Sequence, residues 1–457
     1  MSFVWLWTDL MIWTLLFVIL AGIRSIRNSE QARKQWRRIF ESRVAMASTV
    51  ILIFYFVFAL LGSVHIQLIP NGDGTSEKRQ GVYSVLDLSL MHLIEQTERT
   101  YSAPFATHEY STSLNFDEKG QVSQSYLALK YGGQHIMKDT SIGLDVLQKT
   151  GWPLLVTLGI MLLLLMVHRL FRLQASALQG GDDKANALPW KTAYISLFGL
   201  LFLFIWFYHL SHFYHVLGTD KVGQDVLLQS IKSIRTGVLI GLLTTLVMLP
   251  LALILGISAG YFKGWVDDVI QYLYTTLNSI PGVLLIAAAV LVMQVIITNN
   301  SDWFGSTEER ADLRLLFLIF ILGLTSWTGL CRLLRAETLK ISQVEYVSAA
   351  KVFGLGPFKI IKSHILPNLM HLVLIALVLD FSGLVLAEAV LSYVGVGVDP
   401  TTASWGNMIN QARLEMAREP MVWWSLFSAF VFMFSLVLAA NLFSDRVQTV
   451  LDPRRVN

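Results

Sequence analysis

Apolar residues in this chain gather into long runs instead of narrow stripes, and nine of those runs are long enough for a helix to cross a bilayer. A hydrocarbon core of about 30 Å takes about 20 apolar residues rising 1.5 Å each. The runs are Trp5–Ile23, Val44–Val64, Trp152–Phe171, Ala193–Phe213, Gly237–Tyr261, Leu273–Ile297, Leu315–Leu334, Leu369–Leu391 and Val422–Phe443. Pro and Gly inside several of them are tolerated where neighbouring helices satisfy the backbone. The expected fold class is therefore an all-α polytopic membrane protein. One polar stretch, 65–151, has a different texture. It mixes apolar, aromatic and polar residues, alternates through Val122–Tyr131 in the manner of a strand, and carries the turn Asn71-Gly72-Asp73-Gly74. It is expected to form a small α+β loop domain, the alternative being a disordered connector.

Composition agrees with the runs. The 457 residues are 54% hydrophobic and 15% charged, against about 25% charged in an ordinary soluble domain. The net charge of +3 says little about nucleic acid, and its placement says more about orientation. Basic residues cluster in Arg24–Arg43, at Arg169 and Arg172, at Arg332, Arg335, Lys340, Lys351, Lys359 and Lys362, and at Arg454 and Arg455. All four clusters fall on one side if there are nine spans, and the positive-inside rule makes that side cytoplasmic. The N-terminus is then outside, the C-terminus is cytoplasmic, and both 65–151 and Ser392–Met421 face outward. No basic residue precedes the first run and no small-residue cleavage site follows it, so it is expected to be a retained span. Cys331 is the lone cysteine, which excludes an intramolecular disulfide.

Between the seventh and eighth runs lies the loop Glu345–Asn368. Gln343–Phe353 permits a helix, Gly354 or Gly356 can supply a left-handed cap, and Pro357 suits the first turn of a second helix. Pro367 precedes the next span. Small Ala349 and Ala350 allow close approach by another backbone, Tyr346 and Phe353 offer aromatic anchors, and Glu345 adds a directional charge. An amphipathic surface linker of no special function has the same composition.

The order Glu-x-x-x-Ala-Ala-x-x-x-Gly, followed by Ile-Leu-Pro, resembles the EAA loop of ABC importer permeases. The match is closest to the dipeptide, oligopeptide and nickel group. The resemblance runs from Gly218 to Arg454. It includes Leu217-Gly218-Thr219-Asp220, Gly223-Gln224-Asp225, Ser279-Ile280-Pro281, Ser326-Trp327-Thr328-Gly329, Leu391-Ser392-Tyr393, Ser404-Trp405-Gly406 and Leu451-Asp452-Pro453-Arg454. Gln224 stands where the family usually has Arg. Gln35–Phe40 with the second run resembles the family's start, so its six core spans would be the second and the fifth to ninth. The expected organisation is an extra N-terminal span and basic segment (1–43), the first core span (44–64), the loop domain (65–151), an inserted pair of spans (152–213) and the core (214–457, coupling loop 336–368).

The resemblance implies a non-enzymatic permease subunit in a bacterial cytoplasmic (inner) membrane. It implies a second, similar permease as partner in a heterodimer, two ATPase subunits beneath, and a binding protein outside, with lipid around the spans. Glu345, Tyr346, Ala349, Ala350, Phe353, Gly354 and Pro357 would couple to the ATPases. Gly218, Thr219, Asp220, Asp225, Trp405 and Gly406 would form the family's extracytoplasmic motif. No phosphate-cradling Gly-x-x-x-x-Gly-Lys-Ser/Thr occurs, so no cofactor is expected on this chain, and ATP and magnesium belong to the partners. Peptides are the first expectation for the cargo, then nickel chelates or other small solutes.

Asp380 and Glu388 are ionisable residues in or at the end of the eighth run, which makes them candidates for the pathway. His209, His212 and His215 recur every third residue, but that spacing drifts around a helix and no carboxylate or cysteine lies among them. No metal site is expected, and polar residues at the membrane rim are the simpler reading. Two rival classes stay open. A scaffold or sensor keeping the permease fold would lack an ATPase partner, and a secondary transporter would run on an ion gradient.

Overall fold

The computed structural model describes residues 2–67, 82–116, 122–136, 141–178, 188–304 and 306–451. Asn71–Gly74, Asp452, Pro453, Arg454 and Arg455 lie outside the described residues.

Nine helices among the described residues are long and apolar enough to cross a membrane. After a short strand β1 (Ser2–Val4), the first is α1 (Trp7–Asn28). The basic amphipathic helix α2 (Glu30–Phe40) leads into the second, α3 (Arg43–Gly62). Next come strands β2 (His65–Gln67) and β3 (Val82–Ser84), short helices α4 (Val85–Ser89) and α5 (Met91–Glu95), and strands β4 (Ser113–Phe116) and β5 (Val122–Ser125). Long α6 (Ile142–Leu178) and α7 (Trp190–Leu210) follow, then α8 (Val226–Phe262), α9 (Trp265–Ser279), α10 (Gly282–Asn299) and α11 (Thr307–Ile341). The chain closes with α12 (Glu345–Val352), α13 (Pro357–Ile360), α14 (Leu366–Tyr393), α15 (Trp405–Glu415) and α16 (Trp424–Leu451).

Eight spans fall where the apolar runs place them. The sixth needs a correction, because Leu273–Ile297 is interrupted. Ile280, the residue before Pro281, is extended at φ −93° and ψ 131°, as proline requires of its predecessor. One apolar run thus becomes amphipathic α9 and an 18-residue span, α10.

The described residues group into two compact units. One draws on Trp36–Arg235 and Ala403–Ala439. It holds the loop domain, whose strands pair antiparallel as β2 with β3 and β4 with β5. Ser84 and Asp87 form a reciprocal capping box that starts α4. The strand expected over Val122–Tyr131 stops at Ser125. Beyond it, the Glu98 carboxylate takes the backbone N–H groups of Lys130, Tyr131 and Gly132, leaving fewer donors for a ladder.

The other unit draws on Phe3–Gln35, Thr236–Thr402 and 440–451. In it α1 packs on α11, with the Thr8 backbone N–H donating to Asp312 at 3.1 Å and the Thr8 hydroxyl donating to the same carboxylate. Helices α8 and α11 cross closely at glycines. A Cβ on Gly256 would lie 2.8 Å from the Cys331 carbonyl oxygen, and one on Gly260 would lie 2.8 Å from that of Arg335.

Candidate functional site

The loop between α11 and α14 is built as a helix, a glycine cap and a return. Phe353 ends α12, and Gly354 follows at φ +76°. The Gly354 N–H donates to Lys351 O at 3.0 Å and the Leu355 N–H to Ala350 O at 3.1 Å. That pair of bonds is a Schellman cap, which satisfies carbonyls left open at the helix end. It selects Gly354, over Gly356, as the left-handed residue. Gly356 instead precedes Pro357, the first residue of α13.

The second short helix is not free-standing. Single-turn α13 runs through a π-turn at Ile361–Ile365 directly into α14, and Pro367 sits in the first turn of that helix. Any push on α13 therefore acts along a continuous rod ending at Tyr393.

The two faces of α12 differ sharply. Val347 and Ala350 are buried, packed with Ile270 and Tyr274 of α9 and with Leu330, Cys331 and Leu334 of α11. Ile360, Ile365 and Leu369 join the same core. On the outside, Val352 is 87% exposed, Phe353 84% and Phe358 86%. Glu345, Tyr346 and Ala349 are also exposed. The Asn368 amide donates to the Tyr346 hydroxyl at 2.9 Å, tying α12 to α14. Lys351 lies over the Tyr261 ring at 5.0 Å. Beneath, Arg335 grips Asp267 through two hydrogen bonds of 2.5 and 2.6 Å and holds that carboxyl below the usual range. The loop is thus anchored on its inner face and presents bare aromatic and aliphatic surface on its outer face. Loose linkers lack both features.

A second constellation surrounds Gly218–Asp225. Gly218 and Gly223 have φ of +74° and +75°. A Cβ on Gly223 would meet the Glu98 carbonyl oxygen at 1.9 Å, and one on Gly218 would meet that of Ser102 at 2.5 Å. The backbone of 98–102 therefore presses directly on this turn. Thr219 accepts the Ser102 N–H through its hydroxyl at 2.6 Å, and its own carbonyl accepts the Trp424 indole N–H at 2.9 Å. Asp220 accepts the N–H groups of Val222 and Gln224, which closes the turn. Gln224 is exposed, and its backbone, rather than its side chain, completes the turn. Trp405 is 1% exposed and donates to Ser230 O at 3.1 Å, while its neighbour Gly406 lies in the buried first turn of α15.

His215 is the functional-looking residue that sequence reasoning missed. It is a buried residue rather than a rim one, and both ring nitrogens face carboxylates. Nδ1 lies 2.8 Å from Asp225 and Nε2 lies 3.3 Å from Glu98. Burial pulls the imidazolium down, but the two carboxylates outweigh it and hold its pKa up at about 9. Glu98 is destabilised by burial, yet His215 and three backbone N–H groups pull it down to about 2. The other oxygen of Asp225 accepts the Leu227 N–H at 2.8 Å and so caps α8. This clasp links residues 117 positions apart. Nearby, His92 stacks on His212 with ring centroids 3.9 Å apart, and burial and that neighbour push His92 down to about 4. Among the described residues, no three His, Cys, Asp or Glu side chains converge as metal ligands.

Asp380 is half-buried on α14 and makes no hydrogen bond or ion pair among the described residues. Glu388 is buried, and its carboxylate accepts the Ser392 hydroxyl at 2.7 Å.

Residues 252–457 match the family described as the binding-protein-dependent transport system inner membrane component. Residues 30–71 match the N-terminal TM domain of oligopeptide transport permease C. An oligopeptide transport system permease protein of Mycobacterium bovis is 30% identical over 239 residues, covering 52% of this chain and 76% of that protein. This chain belongs to the binding-protein-dependent transport permeases. Its likeness to an oligopeptide transport system permease protein of Haemophilus influenzae is 31% over 242 residues, covering 53% and 71% of the two chains. A dipeptide transport system permease protein of Bacillus subtilis is 29% identical over 240 residues, covering 52% and 69%. The chain is a multi-pass inner-membrane permease subunit of an ABC importer. Permeases of this family work with ATPase partners and a binding protein. The match at 30–71 covers α2 and α3, and α1 precedes it.

Proposed function

We propose that this permease carries peptides inward, and that ATPase partners drive it through the Glu345–Asn368 loop. The observation that carries the coupling reading is the two-sidedness of that loop. Val347, Ala350 and Ile360 root it among α8, α9, α11 and α14, while Val352, Phe353 and Phe358 stand bare. A soluble protein exposes such a patch where a partner covers it. Two ATPase subunits would hold ATP and magnesium, and their closure would push α12 and α13. Because α13 continues into α14, the push would travel along a span carrying Asp380.

Peptide cargo is supported by the relatives, which are dipeptide and oligopeptide transport system permease proteins. Asp380 fits a pathway role, since an ionisable side chain without a protein partner is costly in a span. Glu388, bound to Ser392, fits the role of a brace at the helix end. The basic clusters support a cytoplasmic loop and an outward 65–151 domain. A second permease would complete the pathway as a heterodimer, and the binding protein would dock on the outward face. Nickel chelates are the second reading for the cargo.

The test is uptake into proteoliposomes that hold the complex purified from its native membrane. A labelled dipeptide is offered with its binding protein, with and without ATP inside. ATP-dependent accumulation supports the proposal. Accumulation that follows an ion gradient and ignores ATP would sink it.

A further inference from the structure

Helices α10 and α11 do not close against one another along their whole length. A groove of about 470 Å³ separates them, lined by Leu285, Met293 and Ile297 on one side and by Leu313, Phe317 and Ile321 on the other. Small Ala288 and Ala289 form part of its wall, opposite the α11 side chains. From Leu285 to Ile297 the helix rises about 18 Å, close to the roughly 15 Å depth of one bilayer leaflet. Both helices belong to the same unit, and α10 and α11 are both spans. The groove therefore lies at the depth of the hydrocarbon core.

One end of the groove is marked chemically. Trp303 joins its lining there and is 65% exposed, beside Asn299, Asn300 and Asp302. An amphipathic indole among polar residues marks headgroup level. Arg310 is exposed and lies about 4.5 Å further along α11 than Leu313. On the helix circumference it falls within about 20° of Phe317 and Ile321. Glu308 and Asp312 fall about 160° away, on the face that meets α1 through Thr8. On a neighbouring segment, Asp399 pairs with Arg314 at 3.3 Å and is also within electrostatic reach of Arg310. The groove face of α11 thus presents a cation at headgroup level above an apolar slot.

We propose that this groove is a binding site for one anionic phospholipid, with an acyl chain between α10 and α11 and its phosphate against Arg310. A guanidinium matches phosphate geometry through paired N–H donors, and the slot takes the chain that a free phosphate lacks.

The test uses the purified full-length chain in detergent, native mass spectrometry, and added phosphatidylglycerol or phosphatidylcholine as probes. The wild-type chain is expected to keep one phosphatidylglycerol and to prefer it over phosphatidylcholine by at least fivefold. Arg310→Gln should abolish the preference while leaving some of both lipids bound. Ala289→Trp fills the slot and should abolish retention of both, which a site for phosphate alone would not do. Glu308→Gln, on the opposite face, should behave as wild type. Equal retention by wild type and Arg310→Gln, or no retained phosphatidylglycerol, overturns the proposal. So does a Phe317→Cys chain that crosslinks through this groove to a second permease subunit in the assembled complex.

Discussion

Gly354 sets the backbone path of the loop between α12 and α13. Its φ of +76° lies where an L side chain costs about 1–2 kcal/mol, and nothing lies within 4 Å of an added Cβ. The penalty of Gly354→Val is therefore backbone strain alone, falling on the cap that aims α12. Uptake should fall at least tenfold while the amount of protein in the membrane stays near wild type, as transport and immunoblot of the same vesicles would read. His215 gives the second prediction at this scale. Its folded pKa of about 9 exceeds the unfolded value near 6.5. The ion pairs with Glu98 and Asp225 thus contribute their full stability below about pH 6.5. That contribution is lost as pH rises through about 9. Thermal unfolding in detergent should show a stability decline between those values that His215→Ala removes. Glu98 works in the opposite direction. Its depressed pKa adds stability above about pH 4.5 that is lost as pH falls toward 2.

Among the elements, the close crossing of α8 and α11 is the most exposed to mutation. A Cβ on Gly260 would come within 2.6 Å of Thr338 and 2.8 Å of the Arg335 carbonyl, and a backbone atom cannot swing aside. Gly260→Val should destabilise by about 1–3 kcal/mol through overpacking. It should also loosen the neighbouring Arg335–Asp267 pair, measured as a lower unfolding temperature together with faster proteolysis near α9. The sequence made most elements legible. Length and apolarity are enough to mark a span, so eight of nine emerged near their places. The sixth misled because Leu273–Ile297 holds no charged residue, and the uncharged Thr275, Thr276, Asn278 and Ser279 before Pro281 do not by themselves end an apolar run. The loop was readable for a different reason, since glycine and proline report backbone geometry directly. What could not be read was which side of α12 faces inward, because Val347 and Val352 are equally apolar. The His215 clasp was hidden because Glu98 is an ordinary carboxylate in a polar loop, and only tertiary structure brings it to a histidine 117 positions away.

For the whole molecule, segments that lie outside the family matches at 30–71 and 252–457 make close, specific contacts of their own. Helix α1, which precedes both family matches, packs on α11, and the 98–102 segment of the loop domain presses on the glycines of the 218–225 turn. The central claim concerns how this assembly is driven. It is tested most directly by placing a cysteine at Phe353 and crosslinking the native complex. Cys331 is fully buried and adds little background. The account predicts a crosslink from Phe353→Cys to an ATPase subunit, with a yield that changes when ATP binds, and none from Leu144→Cys on exposed α6 surface. An ATPase that copurifies and hydrolyses ATP, yet never crosslinks to Phe353→Cys in any nucleotide state, would contradict it.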